Sequence, residues 1–341
     1  VKMNLKALSQ SLGLSPTTVS RALAGYSDVS AATRERVVEA ARRAGYQPDA
    51  AARRLATGRA DAVGIVYPFH PYGATGLGDP RFVDVVAGIS DGLSEAGLDL
   101  IIAAARPQTE LDTYRRLIAN RRVDALIVAN TLQEDPRIRF LQEKGFPFLA
   151  YGRTRSDRPY AWLDFDNQAG ARTAAQRLIA LGHRRIGLIH APLAINFALQ
   201  RHAGFCEALN GAGMAPDPAL MREVAQSRKD GYEAMRSLLA QPDAPTAVLV
   251  DNNLCGLGAL RALTDAGLTP GREVSLIVYD GVPADIPLPY RVTAVIQPTG
   301  DSTGRAIAQL VVGVLAGKPL ESLQQLGQPE IGPGDTDGPP P

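Results

Sequence analysis

The sequence predicts an α/β chain: an all-α helix-turn-helix at the N-terminus, a short linker or contact-folding helix, then a core of two doubly wound parallel-sheet subdomains. Three observations predict it. Charge is divided: residues 1–60 carry ten basic and four acidic side chains, a net of +6, while the remaining 26 basic and 31 acidic side chains give −5, so the overall +1 of the 341 residues conceals a basic head on a mildly acidic body. Capping residues and turn glycines recur at close intervals through residues 4–46. From Ala62 onward, apolar runs alternate with segments of helical period.

In the head, Asn4 can cap a first helix in which Leu8 and Leu12 fall one turn apart, and Gly13 supplies the turn. Ser15 caps a second helix, with Pro16 at the first helical position, where a missing N–H costs nothing. Val19, Ala22 and Leu23 form its buried stripe, so Pro16, Thr17, Ser20 and Arg21 face solvent or a ligand. Ser30 caps a third helix that sends Val37, Val38 and Ala41 inward and ends at Gly45. Residues 48–59 follow, with Asp49 as a cap and Gly58 as a stop. A segment this short is no stable helix alone, so it reads as a linker or as a helix that folds on contact with a partner.

In the core, residues 62–67, 98–104, 125–129, 148–151, 186–189, 247–250 and 274–279 read as strands, with helical segments such as 82–96 and 167–181 between them. Continuous apolar strands separated by helices imply parallel sheets covered on both faces, with a ligand crevice at the carboxyl ends of the strands. The Gly- and Pro-rich tail after Leu326 reads as disordered and holds no leucine heptad for a coiled coil. Two cysteines, Cys206 and Cys255, and four histidines build neither a disulfide framework nor a Cys/His zinc cluster, so no metal or cofactor is expected. The opening residues form no apolar signal region and no stretch reaches the length of a membrane span, which predicts a soluble cytoplasmic protein.

The stretch from Leu14 through Ser15-Pro16-Thr17-Thr18-Val19-Ser20-Arg21 to Leu23, followed by Val29-Ser30 through Arg34-Glu35-Arg36-Val37 and by Gly45-Tyr46-Gln47-Pro48, resembles the N-terminus of the LacI family of bacterial transcription repressors. Pro48, Ala52, Arg53 and Leu55 resemble that family's hinge helix, and Val63-Gly64-Ile65 the first strand of its effector-binding core. Asp166-Asn167, Gly182-His183, Arg201 to Phe205, Asn252 and Val278-Tyr279-Asp280 fall in family order, so the resemblance spans most of the chain. It implies a DNA-binding domain over 1–47, a hinge over 48–60 and a periplasmic-binding-protein-like core over 61–326. Within that core the N-subdomain would take 61–165 and 298–326 and the C-subdomain 166–297, ahead of a disordered tail, 327–341.

The resemblance also implies roles. Pro16, Thr17 and Arg21 would approach base edges, Arg21 as a bidentate partner of guanine, while Ser15, Thr18 and Ser20 would hold phosphates. On the hinge, Ala52 and Arg53 would flank Leu55, an apolar wedge for the minor groove at the centre of the operator; the alternative is that Leu55 packs on the first strand. Asp49 stands where the family usually has Asn. In the crevice, Asp280, Arg201 and Asn252 would be the main polar ligands of an effector, with Gln297 at the subdomain crossover. Phe82 and Phe197 would stack on a ring or serve as core aromatics; Asn130, Tyr151, Arg153 and Asp166 are secondary candidates. Arg201 could instead form a surface ion pair with Glu207. Gly152 and Asn253 replace aspartates common in the family, and residues 71–79 lengthen the loop after the first strand.

The function this implies is a homodimeric repressor of a carbohydrate-utilisation operon, clamping pseudo-palindromic double-stranded operator DNA and switched by a small sugar-like effector. The helix over 82–96 would contribute to the dimer face. Residues 148–153 with 163–167 resemble repressors of α-glucoside utilisation. The alternatives are a regulator answering to a purine or other metabolite, and a sugar-binding module without DNA function. An enzyme is not expected: His70, His183, His190 and His202 are scattered, no Gly-rich phosphate loop is present, and His183 reads as a helix cap.

Overall fold

The structure, a computed structural model, describes residues 3–23, 25–26, 28–46, 58–68, 79–283 and 285–341. Two compact units divide between Asp61 and Ala62.

The first unit holds α1 (Leu5–Leu12), α2 (Pro16–Leu23) and α3 (Ala31–Arg43). Their ends are fixed by the expected caps. Asn4 Oδ1 accepts from the Ala7 amide at 2.9 Å, Ser15 Oγ from that of Thr18 at 3.0 Å and Ser30 Oγ from that of Thr33 at 3.3 Å. Gly13 closes α1 in the left-handed region at φ 64, where an L side chain would be strained. Leu8, Val19, Ala22, Val29, Val37 and Ala41 form one buried cluster. Val38, expected inward, is 48% exposed. One residue past Val37 turns the side chain about 100° around the helix, off the narrow buried stripe.

The second unit is built on two six-stranded sheets. The first contains β1 (Ala62–Pro68), β2 (Asp99–Ala105), β3 (Ala125–Ala129), β4 (Phe148–Tyr151), β5 (Ala161–Phe165) and β11 (Gln324–Gly327), in the order β11-β5-β4-β3-β1-β2 and all parallel. The second contains β6 (Ile186–His190), β7 (Met221–Glu223), β8 (Ala247–Val250), β9 (Ser275–Tyr279), β10 (Ala294–Ile296) and β12 (Glu330–Gly332), in the order β12-β10-β9-β8-β6-β7, with only β12 antiparallel. Around the first sheet lie α4 (Pro80–Glu95), α5 (Glu110–Ala119), α6 (Pro136–Lys144) and α11 (Gly300–Leu315). Around the second lie α7 (Asn167–Ala180), α8 (Asn196–Gly211), α9 (Arg228–Leu239) and α10 (Asn253–Asp265). Successive residues of one strand feed opposite cores, as a two-faced sheet requires: Val63 and Ile65 join Val85, Ile89 and Ile307, while Val66 joins Tyr114, Leu117 and Ile138.

Helices α4 and α11 touch backbone to backbone. A Cβ on Gly88 would lie 2.2 Å from Asp301 O, and one on Gly304 2.2 Å from Val85 O, so any side chain at either position would force the pair apart. This contact fixes the start of α4, which carries Asp79, Arg81 and Phe82 to the cleft described below.

Five strands exceed the sequence expectation: β5, β7, β10, β11 and β12. Each has only three to five residues: β7, β11 and β12 carry charged or amide residues and lie at sheet edges, while β5 and β10 are short, mostly apolar runs one strand in from an edge. The expected disorder of residues 327–341 is corrected. β12 pairs with β10, Thr336 is fully buried, and its hydroxyl donates to Leu276 O at 2.8 Å while accepting from the Thr293 amide. Asp337 pairs with Arg177. Gly338 donates its N–H to Ser275 Oγ, and its carbonyl lies 2.8 Å from His183 Nε2. Composition suggested a chain too polar to pack, but these polar groups satisfy one end of the second sheet. His183 is correspondingly no helix cap: its ring is buried, with Nδ1 2.8 Å from Thr246 Oγ1. Among the described residues no helix is long and apolar enough to cross a membrane.

Candidate functional site

The cleft is lined by residues at or just past the carboxyl ends of the strands, where parallel α/β sheets present ligand groups. Asn130 and Thr131 follow β3, Gly152 and Arg153 follow β4, Asp164 and Phe165 end β5, Asn252 and Asn253 follow β8, Asp280 follows β9 and Gln297 follows β10. Two of these are non-glycine residues held in the left-handed backbone region, Asn130 at φ 50 and Asp280 at φ 65. Such conformations cost about 1 to 3 kcal/mol and persist where the surroundings enforce them. For Asn130 the enforcement is visible: Arg137 Nη2 donates to its carbonyl at 3.0 Å, and Arg137 is itself buried and paired with Asp135 at 2.6 Å and Glu110 at 2.7 Å. Gly152 sits at φ 109, and a Cβ there would lie 2.5 Å from Thr131 Oγ1, so this backbone has no room for the aspartate common in the family.

A hydrogen-bonded chain crosses the cleft. Arg153 Nε donates to Asp164 Oδ2 at 2.8 Å, Asn167 Nδ2 to Asp164 Oδ1 at 3.2 Å, and Arg201 Nε to Asn167 Oδ1 at 2.9 Å. Arg201 Nη1 reaches Asp251 O, and Asn252 Nδ2 donates to Asp251 Oδ1 at 2.7 Å. Arg201 lies between Tyr279, whose ring centre is 3.5 Å from the guanidinium carbon, and Phe197 at 4.6 Å. It is buried and not paired with Glu207, which takes Arg172 and Gln168 instead. Asn252 Oδ1 also caps α10 by accepting from the Cys255 amide.

A second set reaches over from the start of α4. Arg81 Nε stands 3.5 Å from Asp280 Oδ1, Arg81 Nη2 donates to Gln297 Oε1 at 3.1 Å, and Asn253 Nδ2 donates to Asp79 Oδ1 at 2.9 Å. Asp280 Oδ1 is buried without a hydrogen-bond partner. Burial raises the carboxyl pKa of Asp79 against the opposing bond from Asn253, and that of Asp164 against the opposing bond from Arg153. Burial also raises Asp251, against the pull of the Arg201 charge. Phe82 packs on Tyr67 with ring centres 4.0 Å apart and a 50° tilt; burial pushes the Tyr67 hydroxyl up to about 12. Three arginines thus meet carboxylates or carbonyls in one enclosed space beside two phenylalanines. Such a surface offers many oriented donors and acceptors, an apolar ring face and little net charge, which suits a neutral polyhydroxyl ligand.

Of the candidates for the cleft, Phe82, Asn130, Tyr151, Arg153, Phe197, Arg201, Asn252, Asp280 and Gln297 all line it. Asp166 does not: its carboxylate caps α7 by accepting from the Ala169 amide at 2.9 Å, and Asp164, two residues earlier, faces the cleft instead. Sequence reasoning missed Asp79, Arg81, Asp164, Asn167 and Gln226. A charged residue in the apolar run Ala161–Phe165 was the usable signal for Asp164, since a buried carboxylate needs a partner.

In the head, Pro16 and Thr17 are exposed, and Thr18, Ser20 and Arg21 half-buried. Ser15 and Thr18 bond each other through their hydroxyls at 2.8 Å. Arg21 is held side-on by Asp28, with Nη2 to Oδ2 at 2.7 Å and Nε to Oδ1 at 3.2 Å, and its guanidinium carbon lies 4.5 Å from the centre of the Tyr26 ring. The hinge candidates Ala52, Arg53 and Leu55, together with Pro48, Asp49, His70 and residues 71–78 of the long loop, lie outside the described residues.

A family model for bacterial regulatory proteins of the lacI family matches residues 8–49. A second model, for periplasmic binding proteins and the sugar binding domain of the LacI family, matches residues 60–324. The HTH-type transcriptional regulator RafR of Escherichia coli is 46% identical over 98% of both chains, and AglR of Rhizobium meliloti (strain 1021) is 38% identical over 96% of this chain and 92% of its own. Among solved structures, the regulator CelR in complex with cellobiose is 30% identical with a TM-score of 0.72, covering 98% of this chain and 99% of that one. The lac repressor dimer bound to operator and the anti-inducer ONPF is 25% identical with a TM-score of 0.83, over the same shares.

Proposed function

The chain belongs to the LacI family of bacterial transcription regulators, and from that premise we propose that it represses a carbohydrate-utilisation operon in the cytoplasm, as a homodimer on pseudo-palindromic operator DNA, under control of a neutral α-linked glucoside. The observation that carries the ligand reading is the charge-compensated cleft, in which Asp280 Oδ1, beside the Arg81 guanidinium at 3.5 Å, is a buried acceptor without a hydrogen bond, and Arg201, Asn252 and Gln297 line the same space. Phe82 and Phe197 supply the ring faces on which a pyranose stacks. The likeness to the cellobiose-bound CelR supports a glycoside over a purine. In the head, Pro16, Thr17 and Arg21 read base edges and Ser15, Thr18 and Ser20 hold phosphates; on the hinge, Ala52, Arg53 and Leu55 enter the minor groove. The dimeric state is supported by the lac repressor dimer on its operator, the compartment by the DNA partner and the two free cysteines. Control requires only that the glycoside bind two states of the core unequally.

Calorimetric titration of the full chain with α- and β-linked glucosides and with purine bases tests this reading. We expect saturable binding of α-glucosides, with the same sugars altering retention of operator DNA in a gel-shift assay. Binding of purines with no sugar binding would contradict it.

A further inference from the structure

We infer that Asp28 and Tyr26 are positioning residues that aim Arg21 end-on at a guanine. The inference rests on the reading of Arg21 as a base contact. A guanidinium has five N–H donors on two useful edges and a flat face. Asp28 takes the side edge, accepting from Nε and Nη2 at 3.2 and 2.7 Å, and the Tyr26 ring covers the face at 4.5 Å. What remains is the end edge, Nη1 and the outer hydrogen of Nη2, two parallel donors spaced to fork onto guanine O6 and N7. The platform is anchored from α3: Arg34 Nη2 donates to Tyr26 O at 2.8 Å, and Tyr26 N donates back to Arg21 O at 3.1 Å.

The consequence is a trade between affinity and selectivity. A carboxylate in a surface meant for phosphates weakens binding to any duplex. It also keeps a long, flexible side chain from swinging onto the nearest phosphate, and it removes part of the ordering that reading a base would require. Asp28 therefore lowers general affinity and raises discrimination at one base pair of each half-site.

The test is a binding-site selection from a randomised palindromic library, followed by affinities for the selected duplex, for a duplex with the selected guanine replaced, and for an unrelated duplex, using the full chain. Asp28→Asn should bind the unrelated duplex several-fold more tightly and discriminate at that guanine about tenfold less. Tyr26→Leu should also lose discrimination, whereas Tyr26→Phe, which keeps the ring, should hold it. If Asp28→Asn strengthens binding to all three duplexes alike, Asp28 merely competes for Arg21 and the inference is overturned. Arg21→Ala separates the two levels: no change in base preference in that variant removes the reading of Arg21 itself, while a change there with none in Asp28→Asn removes only the positioning role.

Discussion

Arg21 in the head and Arg201 in the cleft are both arginines stacked on a tyrosine, and the difference between their surroundings separates the two tasks of the molecule. Arg21 has one carboxylate partner and a side chain 43% exposed. Arg201 is buried, sandwiched between Tyr279 and Phe197, and bonded to Asn167 and the carbonyl of Asp251. An exposed cation can keep one edge open to a base at small desolvation cost, and its attraction for a polyanion is screened by salt. A buried one is committed: its partners were desolvated to meet it, so removing it leaves them unpaired. The head is therefore built to engage and release, and the cleft to hold a fixed pattern of donors against which ligands are compared.

The sharpest way to break this contrast is to treat the two arginines alike. Arg201→Met should cost about 3 to 5 kcal/mol of folding stability, measured by denaturant unfolding, and abolish glycoside binding; a loss below 1 kcal/mol would place Arg201 with the exposed class. Asp280→Asn keeps the shape but removes the charged acceptor. Glycoside affinity should fall by about 1.5 to 3 kcal/mol in calorimetry, with operator binding in the absence of sugar unchanged. Arg21→Ala should leave the melting temperature where it was and cost about 1 to 3 kcal/mol of discrimination at one base pair, read from a site selection.

A further effect concerns acid. Burial acts to raise the Asp135 pKa, but the bonds from Arg137 and nearby amides outweigh it, so the folded value lies below the ordinary one. Its contribution is then present above the unfolded carboxylate pKa of about 3.9 and is lost as pH falls through the folded value. Asp135→Asn should lower the melting temperature at pH 7 and by less at pH 3; an equal drop at both would mean that charge is not what the site uses.

Much of this organisation was legible in the residues, for physical reasons that also mark where legibility stopped. The central strands β1, β3, β4, β8 and β9 are continuous apolar runs because both their faces are covered, and the head's three helices declare themselves by Asn4, Ser15 and Ser30. Asp280 could be placed because it follows a strand's carboxyl end, where crevices form, and matches the family's pattern; Asn130 came with the resemblance. Arg81 could not: it opens a helix, and its meeting with Asp280 and Gln297 depends on where α4 is set by its contact with α11. The tail was misread because its order comes from single polar contacts, Thr336 to Leu276 and Asp337 to Arg177, which no local pattern encodes. Asp166 and Asp164 were confused because two residues in a strand-to-helix passage separate a cap from a cleft ligand.

The central claim, that the +6 of residues 1–60 serves DNA and the −5 of the remainder serves a neutral ligand, is tested most directly by one paired salt titration. Operator affinity and α-glucoside affinity would be measured on the same full-length preparation between 50 and 200 mM salt. Operator affinity should fall about a thousandfold or more while glucoside affinity stays constant. A glucoside affinity that falls in step with operator affinity, or an operator affinity indifferent to salt, would contradict the account.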